Sequence, residues 1–125
     1  MKKLNYVRAS YYIAQHFSAI RMEVKQLRRQ RNFAGVLQAL INHLRELQTL
    51  GDLDLISRHL NYLGRIHAKG NAYVQYLMEN LFVRSLRSFQ RLVSPEAWQE
   101  LYRKMPKLFI AVYEKQINEQ RIQII

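Results

Sequence analysis

NFAGVLQALINHLRELQTLGDLD, residues 32–54, sets the architecture of this chain. Phe33, Val36, Leu37, Leu40, Ile41, Leu44 and Leu47 recur at intervals that a helix of about 3.6 residues per turn gathers into one wide apolar face. The run ends near Leu50. Gly51 is suited to stop the helix, and Asp52 or Asp54 to cap the next one.

The same grammar extends in both directions. Upstream, Tyr6, Ile13, Phe17, Ile20, Val24 and Leu27 form a narrow stripe, which predicts a first helix from about Asn5 to about Arg29. A weaker line on that helix, through Val7, Tyr11, Ala14, Ser18 and Met22, makes it apolar on two sides and is where a homodimer seam would lie. Downstream, Leu53, Ile56, Leu60 and Leu63 give a third helix that ends at Gly70. Asn71 can cap a fourth, with Val74, Leu77, Met78, Leu81, Phe82, Phe89 and Leu92 on its apolar side. Ser94-Pro95-Glu96 is the sharpest boundary: a capping hydroxyl, a proline at the first helical position and an acid in the first turn open a short helix with Trp98, Leu101, Tyr102 and Met105. Pro106 ends it, and a last helix follows through Leu108, Val112, Tyr113 and Ile117. Only four Gly and two Pro interrupt the sequence, so the connections are short. The expected fold is all-α, one domain over residues 1–125, a compact bundle of five or six mostly antiparallel helices.

A chain of 125 residues with 49% hydrophobic content is long enough to bury a core, and it carries no cysteine. Disulfides, thiolate metal sites and a cysteine nucleophile are therefore excluded, and a reducing compartment is expected. Met1-Lys2-Lys3-Leu4 imitates the basic start of a signal peptide, but Asn5 and Arg8 break any apolar stretch after it. No uncharged apolar run approaches about 18 residues. The location expected is cytoplasmic.

Chemistry-bearing patterns are sparse. The histidines His16, His43, His59 and His67 show no paired metal-ligand spacing; His43 with Glu46 is a lone reversed pair, and His59 and His67 are separated by a rise of about 12 Å on one helix. No metal or organic cofactor is expected. Glu79 flanks the apolar face of the fourth helix, where it stands to lose water, but no catalytic triad, nucleophile elbow or phosphate-binding glycine loop accompanies it. No enzymatic activity is expected.

Charge is more informative. Residues 1–31 carry eight Lys or Arg against Glu23 alone, which is +7 of the total +11. Arg28, Arg29 and Arg31 fall in the last turns of the first helix, where cations also favour the exposed carbonyls. On the third helix Arg58, Tyr62, Arg65 and Lys69 align opposite the core, a ladder of cations around an aromatic. Tyr76, Asn80, Arg84, Arg87 and Arg91 repeat the theme on the fourth. Arg outnumbers Lys thirteen to seven, and its planar donor fork suits carboxylate and phosphate. Charge opposite a core is also what any solvated amphipathic helix shows. The expected function is a small non-catalytic helical interaction module that contacts an acidic protein or polymer; the alternative is nucleic-acid binding through phosphate contacts.

Overall fold

The computed structural model describes the backbone of residues 2–124 and the side chains through Arg121; Met1 lies outside it. It is all-helical, with seven helices: α1 Tyr6–His16, α2 Arg21–Arg29, α3 Phe33–Thr49, α4 Leu53–Lys69, α5 over residues 72–90, α6 Pro95–Lys104 and α7 Lys107–Ile124. Among the described residues the sole β-type pairing is an isolated bridge between Leu4 and Gly70.

Three expected caps form: the side chains of Asp52, Asn71 and Ser94 accept hydrogen bonds from Leu55, Val74 and Ala97 N–H respectively, and Asn32, not singled out in the sequence, does the same for Gly35 N–H, each satisfying an orphan donor of a first turn. At the end of α3, Gly51 takes φ +77°; its N–H donates to Gln48 O, and Asp52 N–H donates to Leu47 O. That is a Schellman closure, in which glycine adopts the left-handed conformation without a Cβ penalty. The end of α2 closes by the same pair of bonds, Arg31 N–H to Arg28 O and Asn32 N–H to Leu27 O, but the left-handed position is held by Arg31 at φ 57°.

Two expectations are corrected here. The single first helix over 5–29 is two helices. At Phe17 the backbone leaves the helical region (φ −102°, ψ 79°), a 3-10 turn Ser18–Ile20 follows, and α2 folds back along α1. Arg21 donates to the carbonyls of Ala14 and Gln15, and Arg28 reaches Val7 O at 3.0 Å while its guanidinium lies 5.7 Å from the Tyr11 ring centroid. The Arg21 guanidinium thus takes up two carbonyls that a continuous helix would have paired internally, while Arg28 reaches a carbonyl near the start of α1 and ties the two helices together. The weaker apolar line is consequently split: Val7, Tyr11 and Ala14 belong to α1, Ser18 to the turn and Met22 to α2, with Ala14 buried and Met22 exposed. The reversal raises the helix count from the expected five or six to seven.

The second correction lies in α5, which consists of α-helical Ala72–Leu77, a π-helical stretch Met78–Val83 and α-helical Arg84–Gln90. A π turn takes in an extra residue and advances the phase of everything after it. Leu81 and Leu92, expected to face the core, are exposed, and Val83 and Leu86 are buried instead. In α7, Leu108 is likewise exposed while its neighbour Phe109 is fully buried.

α3 lies at the centre, touching α1, α2, α4 and the π stretch of α5. One cluster of buried side chains draws on all seven helices, from Ala9 and Ile13 in α1 to Phe109 and Tyr113 in α7. Contacts of α1 with α4 run in opposite senses along the two helices: Leu4 with Lys69 and Gly70, Tyr12 with Tyr62, His16 with His59. α6 instead runs in the same sense as α4, since Asn61 bonds Lys104 O and Gly64 packs on Pro106. Buried His67 donates its Nε2–H to Glu79 Oε2 over 2.8 Å, and Gln116 donates to Glu79 O, tying α4, α5 and α7 at the π turn.

Candidate functional site

The ladder on α4 meets a matching ladder on α1. Arg8, Tyr12 and His16 recur every four residues, which puts them on one face of α1 directed toward α4. The Tyr62 hydroxyl donates to Tyr12 O at 3.1 Å, Arg8 donates to the Tyr12 hydroxyl at 3.2 Å, and His16 stacks on Tyr62 with centroids 3.7 Å apart and planes within 7°. The Arg65 guanidinium sits 5.6 Å from the Tyr62 centroid. The Tyr62 ring is therefore engaged by two basic neighbours. Next to it lies a groove of about 280 Å³ lined by Leu4, Tyr12, Tyr62, Arg65, Ile66 and Lys69. Among the described residues no carboxylate lines it, and neither Arg65 nor Lys69 lies within 4.0 Å of an acid.

Behind the groove the structure assembles three histidines whose sequence spacing gave no sign of convergence. His16 Nε2 and His59 Nδ1 share a hydrogen bond of 3.2 Å, and the His43 and His59 rings are 6.0 Å apart, with Phe17 packed against all three. A His–His bond needs one ring nitrogen to be an acceptor, so the pair favours neutral imidazoles. Burial, then the neighbouring His16 and His43, lowers the pKa of His59 to about 4. Burial and the Arg65 charge lower that of His16, and burial raises that of the Tyr62 phenol. Among the described residues no group of three or more potential ligands is arranged to hold a metal ion.

The remaining candidates divide. Arg58 is paired with Asp54 at 3.5 Å, both exposed. Arg28 is committed to Val7 O and the Tyr11 ring, which makes it part of the α1–α2 reversal. Arg29 and Arg31 are exposed at the end of α2. The arc on α5 is divided by the π turn: Tyr76 is 63% exposed, Arg84 shares a cleft with Glu79, Lys115 and Glu119, and half-buried Arg87 faces Tyr113 and Gln116. Arg91 is exposed at the C-terminal end of α5. Acids thus stand beside the α5 arc but not in the α1–α4 groove. Sequence reading found the α4 half of this site and missed Arg8, Tyr12 and His16, whose four-residue spacing was visible but whose partner helix was not.

No helix of the described residues is long and apolar enough to cross a membrane. Comparison with curated proteins and with solved structures finds no match. A family model does match, over residues 11–120, and its description is "Domain of unknown function (DUF7674)". A match over most of the chain, reaching from the middle of α1 into α7, places this protein in that family.

Proposed function

We propose that this protein is a non-catalytic, cytoplasmic helical interaction module that receives an acidic protein or polymer on the face shared by α1 and α4. The observation that carries the reading is the groove itself: two ladders, Arg8–Tyr12–His16 and Tyr62–Arg65–Lys69, converge on a concavity without a lining carboxylate. By contrast Arg58, Arg103 and Lys104 are paired with acids, Arg84 shares its cleft with Glu79 and Glu119, and Arg21 and Arg28 bond backbone carbonyls. An unneutralised basic concavity attracts and orients acidic groups. Arg31, kept in a backbone conformation where glycine is the usual occupant, adds a cation at a cost in strain near the end of α2.

A second reading, nucleic-acid binding, is favoured by one observation: Tyr76 offers an exposed ring on the α5 arc that also carries Arg84 and Arg91. Titration of fluorescent poly-glutamate and of a single-stranded oligonucleotide at two salt concentrations separates them. The leading reading expects poly-glutamate binding to weaken on Arg65→Gln/Lys69→Gln, and oligonucleotide binding at physiological salt to be weak and indifferent to those changes. Oligonucleotide affinity that falls by about 0.7 to 0.9 log units per log unit of salt for each phosphate neutralised, and that responds to Arg84→Gln, would establish the second.

A further inference from the structure

Building on the reading of the α1–α4 face as an acidic-partner site, we propose that its groove takes a linear acidic peptide segment by one large apolar side chain flanked by carboxylates. The groove is two-toned. Its floor is Leu4, Ile66 and the rings of Tyr12 and Tyr62; its rim is Arg65 and Lys69, with Arg8 hydrogen-bonded to Tyr12 at the α1 side. A purely polyanionic partner would use the rim and leave the apolar floor uncovered. A partner with both an apolar side chain and flanking acids satisfies both.

Size points the same way. At about 280 Å³ the space has room for one side chain of leucine or aromatic size together with its flanking chain. The engagement of Tyr62 by His16 and Arg65 disfavours a stacked nucleobase as the occupant, because the ring already has a stacking partner at 3.7 Å. The wall is pre-formed: Leu4 N–H donates to Lys69 O at 2.8 Å and Leu4 O accepts from Asn71 N–H at 2.7 Å, fixing the extended N-terminal segment beside α4. A fixed wall spares the ordering cost of binding.

Fluorescence anisotropy with four labelled probes tests this on the full chain: a twelve-residue Glu/Asp peptide with a central Leu, the same peptide with central Ala, a twelve-residue poly-glutamate, and a single-stranded oligonucleotide of matched charge. The Leu peptide should bind at least about tenfold more tightly than the Ala peptide, since a buried leucine side chain contributes on that order. Leu4→Gln should erase that preference, because its main-chain bridge remains while its side chain no longer supplies apolar floor. Arg65→Gln/Lys69→Gln should weaken both peptides, with circular dichroism checking that every variant is folded. Equal binding of Leu peptide, Ala peptide and poly-glutamate overturns the apolar-anchor inference but leaves the acidic-partner reading standing. Tighter binding of the oligonucleotide, unchanged by Leu4→Gln, overturns both, as does an absence of binding by all four probes.

Discussion

Acidification should destabilise this protein before most of its carboxylates titrate, and the cause should be His59. In the unfolded chain His59 has a pKa of about 6.5; in the fold, burial and two neighbouring histidines lower it to about 4. Between those values the unfolded chain binds a proton that the native state refuses, so stability is full above about pH 6.5 and is lost as pH falls toward 4. Linkage puts the loss between pH 7 and pH 4.5 at about 2 kcal/mol, for a side chain that is 8% exposed. With a urea slope of about 2 kcal/mol per molar, the unfolding midpoint should move down by about 1 M. The assay is urea unfolding followed by helical circular dichroism at pH 7, 5.5 and 4.5, on the wild type and on His59→Asn. Asparagine keeps a hydrogen-bonding group near the Nδ1 position but does not titrate. The variant starts less stable, having lost the ring that packs 4.5 Å from Phe17, yet its midpoint should vary with pH less than half as much. A wild-type midpoint unchanged across this range, or an equally steep decline in the variant, would refute the reasoning.

Gly64→Ala should cost about 1–3 kcal/mol despite alanine's better helix propensity, because the added Cβ would meet Pro106 Cγ at 2.5 Å and the ring cannot swing away; thermal unfolding reads this directly. Arg31→Gly should instead raise stability by roughly 0.5–1 kcal/mol by relieving the left-handed backbone, and an unchanged or lower melting temperature would count against that account. Arg28→Ala should lose about 1–2 kcal/mol through the lost charge-assisted bond to Val7 O and the lost Tyr11 contact, whereas Arg65→Gln should change stability by less than about 0.5 kcal/mol; chemical denaturation distinguishes the structural from the surface arginine. Trp98, buried against Tyr102 and Tyr113, should emit at a shorter wavelength than free tryptophan until the chain unfolds.

What could be read from the residues was whatever depends on near neighbours. Asp52, Asn71 and Ser94 announced their caps because a cap is a contact across three residues. Gly51 announced its turn because the left-handed conformation favours one residue type. The reversal at Phe17 had no such marker. The carbonyls of Ala14 and Gln15 beside it are satisfied by Arg21 from the next helix, and an apolar stripe on one long helix spells the same sequence as two shorter helices that each face a core. The π turn was hidden for a related reason: α-helical spacing fits Val74, Leu77 and Met78, and only the exposure of Leu81 reveals that the phase has advanced. The basic groove was half legible, since its α4 ladder lies on one helix while its α1 ladder matters only because the two helices run antiparallel. The histidine cluster joins residues from three helices and left no periodic trace at all.

The bridge between Leu4 and Gly70 has a practical bearing on how the protein is handled. Because Leu4 is clamped on both its N–H and its carbonyl and also forms part of the groove wall, whatever polypeptide precedes it sets out from the lip of the groove. An appended N-terminal tag would therefore start beside Arg65 and Lys69, and an acidic tag there would act as an intramolecular competitor at high effective concentration. A purification handle placed after α7 leaves the groove clear, and comparing the two fusions would itself measure how readily that surface accepts a tethered acidic chain.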